Sequence, residues 1–191
     1  MANVFFFFLL ILINSPARAG VFELSASANF RDSHIDSYNY TKTVSYTGSV
    51  SYYFWEMSAI ELSYTQGQST LSAKPSAIDP QLLYISDFTM HGVDLVFSLT
   101  SRDAPIQPYV KVGGAKIKKD LVVKSEVGSI KRINSPDGDN TETVPSAGVG
   151  FKIMLTKTFS IKAGIDAWKT NYKKQDETTD YAGRAGISWL F

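Results

Sequence analysis

Few residues in this chain have the types to do chemistry. Away from the ends of the alternating segments, the polar face carries eight charges: Glu23, Glu61, Asp94 and Asp166 against Lys111, Lys152, Lys162 and Arg184. Paired carboxylates can cleave a glycosidic bond by acid–base chemistry. Opposite charges that exchange partners can open a thread of water for ions. Charges that are simply paired can fill an interior, because a charge taken out of water must be paired or hydrated. Four acids against four bases favour this last use. His34 in "DSHID" stands beside Asp32, Ser33 and Asp36, the residue types of a Ser–His–acid arrangement. A histidine in a loop is more simply a solvated one. His91 precedes "VDLVFSL", near the top of the fourth strand, on the same face as its apolar residues. No phosphate loop, HExxH or EF-hand pattern is present, and cysteine is absent, so there is no disulfide framework and no thiolate metal site. No cofactor and no metal are expected. With 19 basic and 18 acidic residues, nothing electrostatic points to nucleic acid.

The elements that carry these charges are strands. In "FELSASANF", Phe22, Leu24, Ala26, Ala28 and Phe30 share one face and Glu23, Ser25, Ser27 and Asn29 the other. The same period of two runs through "VSYTGSVSYYF", "AIELSYT", "VDLVFSL", "AGVGFKIML", "FSIKAGIDA" and the closing "DYAGRAGISWLF". A period of two over such lengths is a strand with one apolar and one polar face. In "QPYVKVGGAKIKK", Val110 and Val112 share the apolar face and Lys111 the polar one. Parity is lost beyond Gly113 and Gly114, so a bulge is expected at the glycines. This makes eight strands.

The connections alternate in length. "WEMS", "TSRDAP" and "TKT" are short, whereas "RDSHIDSYNYT", "STLSAKPSAIDPQLLY", "DLVVKSEVGSIKRINSPDGDNTETV" and "NYKKQDETT" are long. Transmembrane barrels have short turns at one rim and long loops at the other. Aromatics gather at strand ends: Phe22, Phe54, Phe159, Trp189 and Phe191 toward the short turns, and Phe30, Tyr46, Tyr64 and Tyr181 toward the long loops. Ser, Thr and Gly dominate the polar face, as a narrow lumen requires. A soluble barrel would point the apolar face inward. The girdles and the loop lengths favour the opposite, an all-β, eight-stranded antiparallel up-and-down transmembrane β-barrel. The amino terminus is a separate object. "VFFFFLLILI" is too short for a membrane-spanning helix, and "NSPARA" brings Ala17 and Ala19 to the small positions before a cut. Residues 1–19 are therefore expected to be a signal peptide and residues 20–191 the barrel domain.

Closing such a barrel requires the last strand to pair with the first, because lipid tolerates no open edge. "IQPYVKVGG", "PSAGVGFKIMLTKTFSIKAGIDAW" and "RAGISWLF" resemble the small OmpA/OmpX-like outer-membrane β-barrel family. The resemblance runs over the whole barrel domain. It implies a monomer in the outer membrane of a Gram-negative bacterium, with both termini in the periplasm and insertion by the barrel assembly machinery. Ile187, Trp189 and Phe191 resemble the assembly signal of such proteins. No peptidoglycan-binding domain is expected after the barrel, so an anchoring role is not carried over. The His-x-Ser spacing of the deacylase barrels is absent.

The function expected is structural or surface-interactive, carried by extracellular loops, and not enzymatic. A narrow, porin-like path for ions or small solutes is the alternative, and a lipid-modifying enzyme the third reading. Lipid and lipopolysaccharide are the expected surroundings. The third long loop and its approach hold Lys118, Lys119, Lys124, Lys131 and Arg132 among Asp120, Glu126, Asp137, Asp139 and Glu142, a mixture that suits a solvated surface. The bases there are also suited to lipopolysaccharide phosphates. Replacing Trp189 and Phe191 together by Ser is expected to reduce insertion and leave protease-sensitive chain in the periplasm. Undiminished insertion would reduce the terminal aromatics to packing.

Overall fold

The computed structural model describes residues 21–34, 40–73, 82–125, 130–132, 141–170 and 178–191. The expected leader, residues 1–19, lies outside them. All regular structure among the described residues is strand: β1 (Val21–His34), β2 (Tyr40–Trp55), β3 (Ser58–Ala73), β4 (Leu82–Ser98), β5 (Ile106–Ser125), β6 (Ile130–Arg132), β7 (Thr141–Met154), β8 (Phe159–Thr170) and β9 (Thr178–Leu190). Each long strand pairs antiparallel with its neighbours in sequence, and β9 returns to β1. The wall is therefore a closed barrel of eight strands, with the three-residue β6 folded back on the projecting end of β5.

The seam is joined down to its last residue. β1 and β9 pair from Glu23↔Leu190 to Phe30↔Gly183. The Phe22 N–H donates to the Phe191 carbonyl at 3.0 Å, and the Phe191 N–H to the Phe22 carbonyl at 2.9 Å. Closure tilts the strands. Partner by partner, the row that starts at Glu23 near the short-turn rim passes Ser51, Glu61, Asp94, Gly113, Ser146 and Trp168. It ends at Asp180 near the long-loop rim.

The period of two sorts side chains as a membrane requires. Leu62, Val93, Val112, Val149 and Ile165 face out, each more than half exposed. The residues that alternate with them face in and are buried or half-buried. This inverts a soluble barrel, whose apolar face would be the hidden one. The aromatic girdles are also exposed, from Phe22, Phe54, Trp189 and Phe191 at the short-turn rim to Phe30, Tyr46, Tyr64 and Tyr181 at the other. β3, β4 and β5 run further into the expected long connections than the sequence pattern indicates. The β4–β5 ladder continues to Leu82↔Ser125.

The expected bulge at Gly113 and Gly114 is absent. β5 keeps unbroken register with both neighbours, through Asp94↔Gly113 and Val93↔Gly114 on one side and Gly113↔Ser146 and Gly114↔Pro145 on the other. Parity continues too: Ala115 and Ile117 face in and are buried, while Lys116 and Lys118 face out and are exposed. The glycine marks close approach instead of a bulge. A Cβ on Gly113 would run into the Val93 carbonyl oxygen and the Asp94 carboxylate, whereas one on Gly114 meets only the Val144 carbonyl oxygen at 3.5 Å. The register shift that does occur lies at Tyr53/Trp55, on the short-turn rim, where bulges are common.

Gly113→Ala is accordingly expected to lower the thermal unfolding temperature of the detergent-solubilised barrel, and Gly114→Ala to leave it nearly unchanged. Equal effects of the two substitutions would show that the close approach at Gly113 is not limiting.

Candidate functional site

The alternation of each strand sends one residue in two into the lumen, and the eight charged residues all stand at inward positions. The tilt then brings them into one layer, although they come from seven strands. β1 supplies Glu23, β3 Glu61, β4 Asp94, β5 Lys111, β7 Lys152, β8 Lys162 and Asp166, and β9 Arg184. Glu23 and Glu61 are each 1% exposed.

The charges form one connected network. Glu23 receives Lys152 Nζ and Lys162 Nζ, each at 2.9 Å. Lys162 also reaches Glu61 Oε2 at 3.5 Å. Glu61 Oε1 accepts no hydrogen bond, but Lys111 and Arg184 lie 3.7 and 3.8 Å from it. Lys111 is shared among Glu61, Asp94 at 3.5 Å and Asp166 at 3.1 Å. The Arg184 Nε stands 3.3 Å from Asp166 Oδ2. Hydroxyls take up remaining acceptors: Tyr53 donates to Glu23 at 2.9 Å, Ser146 to Asp94 at 2.8 Å and Ser51 to Glu61 at 3.3 Å. Removing ions from water costs several kcal/mol each, and only mutual pairing with hydrogen bonds offsets it.

Three features of this layer are not among the charges the sequence pattern singles out. Tyr53 and Tyr109 floor the lumen on the short-turn side, packed with Ala59 and Val96. Arg102, from the connection between β4 and β5, places its guanidinium over the Tyr53 ring at 5.1 Å. Its carbonyl accepts a hydrogen bond from Gln107, as does that of Ala104 at 3.0 Å. Inward glycines make room: a Cβ on Gly148 would crowd Asp166 and Lys111, and one on Gly150 the Tyr109 hydroxyl. Parity alone places the two tyrosines inside. Arg102 gives no sequence signal, because it lies in a turn.

Of the two histidines, only His91 has its side chain among the described residues. His34 ends β1; its side chain and Asp36 lie outside the described residues. His91 faces out of the barrel, its ring 5.1 Å from that of Tyr64, and its partners across the ladder are Tyr64 and Lys116. Of the third-loop charges, Lys118 and Asp120 line an outer-wall groove, whereas Glu126, Asp137 and Asp139 lie outside the described residues. Among the described residues, no three His, Asp or Glu side chains are grouped to hold a metal ion. Ile187, Trp189 and Phe191 face outward from the closing strand, each about half exposed or more.

The model of the outer membrane protein beta-barrel domain family matches residues 5–191. The amino-terminal β-barrel domain of Pseudomonas aeruginosa OprF shares the fold at 19% identity, with 90% of this chain and 99% of that one covered and a TM-score of 0.56. Neisserial surface protein A shares it at 16% identity, over 90% of this chain and 99% of that one, with a TM-score of 0.56. OprG from Pseudomonas aeruginosa shares it at 12% identity, over 90% and 96%, with a TM-score of 0.55. At such identities the likeness is one of fold. No curated protein matches the sequence.

Glu23 holds two lysines, and Lys152 has no second carboxylate within bridging distance among the described residues. Glu23→Gln is therefore expected to cost about 3–5 kcal/mol, since a buried charge is stranded. Lys152→Met costs less, because Glu23 keeps Lys162. Adding Lys152→Met to Glu23→Gln recovers part of the loss. Unfolding in detergent, with the double-mutant cycle, tests this; equal single losses and no recovery would show a hydrated, uncoupled site.

Proposed function

The chain belongs to the outer membrane protein beta-barrel domain family, and we propose that it serves there as a closed, non-conducting scaffold that presents its long-loop rim to the outside. The buried charge layer carries this reading. Eight strands leave a lumen just wide enough for side chains, and here those side chains are committed to one another at distances of 2.9–3.8 Å. Groups so engaged are not poised to act on a substrate, which supports a non-enzymatic role.

The same architecture supports an orientation. Short turns belong to the periplasm and long loops to the exterior in barrels of this kind, which supports periplasmic termini. The aromatic carboxy-terminal strand is then positioned for the barrel assembly machinery, with Ile187, Trp189 and Phe191 as the signal. The protein acts as a monomer among lipids and lipopolysaccharide.

One observation favours a second reading, a narrow ion path. Lys111 lies within bridging distance of three carboxylates, and Glu61 of three cations. Such redundancy permits exchange of partners without stranding a charge.

Two measurements test the proposal. A tag inserted at Pro136 is expected to bind antibody on intact cells and one at Glu56 is not; the reverse would overturn the orientation. The purified wild type is expected to show no steady conductance in planar bilayers. A stable conductance of porin size would overturn the closed scaffold, and brief openings that Glu61→Gln alters would favour the exchange of partners.

A further inference from the structure

Above the charged layer the lumen is not filled. A cavity of about 140 Å³ lies at the long-loop mouth, close to the ~150 Å³ at which an apolar protein cavity takes up benzene. A smaller one of about 40 Å³ lies against Asp94, Lys111, Asp166 and Arg184. The two cavities share Asn29, Met90, Trp168 and Ala182 in their walls. The smaller one reaches the charge layer, so the pair forms a blind pocket, open at the mouth and stopped below.

The pocket has an apolar wall, separated by the charged layer from the Tyr53, Ala59, Val96 and Tyr109 cluster that floors the lumen. Ala115, Ile117 and Val144 form a buried cluster, with Met90 and Trp168 packed against it, and Phe88 completes the wall of the larger cavity. Inside a barrel whose outer face meets lipid, an apolar lining is not needed to satisfy the membrane. It does suit a ligand pocket, which is mostly apolar with a few placed polar groups.

One polar group is placed and unused. Asn29 is 7% exposed. Its Nδ2 donates to Ser45 Oγ at 3.1 Å and to Thr47 Oγ1 at 2.9 Å, while its Oδ1 is buried without a partner. A buried acceptor left unpaired is costly, so it calls for a donor. At the rim, Arg31 and Asp180 lining the cavity are paired with each other. The charges below are paired as well. The pocket therefore offers a ring-sized apolar space with one buried acceptor in its wall; the charges at its base are paired, and the exposed Lys119 stands at its mouth.

We propose that this pocket binds a small uncharged amphiphile of the phenol class, its ring among Phe88, Met90, Ile117 and Trp168 and its hydroxyl donating to Asn29 Oδ1. The inference stands on the cavity and the acceptor, not on which face of the membrane the mouth meets.

Trp168 reports on its own pocket. Trp55 and Trp189 are the other two tryptophans, and both are largely exposed outside the lumen. In the full chain carrying Trp55→Phe and Trp189→Phe, reconstituted in lipid nanodiscs, phenol and benzene are titrated against Trp168 fluorescence. Phenol is expected to give a saturable change and to bind roughly three- to tenfold more tightly than benzene, the worth of one net hydrogen bond. Asn29→Leu is expected to remove that preference, comparison of ratios cancelling partition of both probes into the bilayer. Ala182→Phe, which fills the pocket, is expected to abolish saturation. Ser86→Phe, nearer the mouth, serves as a second block, and the mobility of unheated samples on gels identifies variants that fold. Non-saturable responses that are the same with and without a block would overturn the site. A preference for phenol that survives Asn29→Leu would overturn the role of Asn29.

Discussion

The structure depends on one constraint: a sheet in lipid cannot keep an open edge, because a backbone N–H or C=O in hydrocarbon has no water to pair with. β1 must find β9, and it does so along the whole ladder to Phe22 and Phe191. Every other feature follows from that closure. Once the sheet is closed, it has an inside and an outside, and the two-residue period of each strand assigns alternate side chains to one or the other. The residues that meet lipid must be apolar, so within the wall the polar and charged side chains fall to the intervening, inward positions.

The interior then faces a problem opposite to that of a soluble core. The lumen of an eight-stranded barrel is narrow and holds little water, and polar side chains placed there lose their hydration. Charge balance and connection solve it. Glu23 bridges Lys152 and Lys162, and Asp166 bridges Lys111 and Arg184. Inward glycines at 113, 148 and 150 clear the space through which these long side chains reach. Glycine in a strand normally weakens it by entropy and lost packing. Here the loss is offset, because the network could not close around added Cβ atoms.

The lumen is zoned along its axis. Tyr53 and Tyr109 floor it, the charge layer stops it, Asn29, Thr47 and Thr65 form a band of hydrogen-bonded polar groups, and an apolar pocket opens at the mouth. The charged layer and the pocket draw on different residues, so the two proposals can be tested separately. A closed scaffold and a receptor-like mouth are thus compatible roles for one barrel.

Much of this was legible in the chain. Alternation is a local property, so the sequence by itself determined the all-β class, the strand count of the wall, the apolar outer face and the identity of the eight inward charges. The rim aromatics were legible for the same reason. What sequence periodicity could not carry was distance across the barrel. Which acid meets which base depends on strand tilt and stagger, and these are set by closure around the ring instead of by neighbours along a strand. The same is true of Gly113: two adjacent glycines look like a bulge locally, and only the approach of Asp94 from β4 shows one of them to be a clearance. Arg102 over Tyr53, and the unpaired Asn29 Oδ1 beneath an apolar pocket, likewise join residues distant in sequence. Only the tertiary structure decided those, because closing the wall brings inward side chains from distant strands within contact distance.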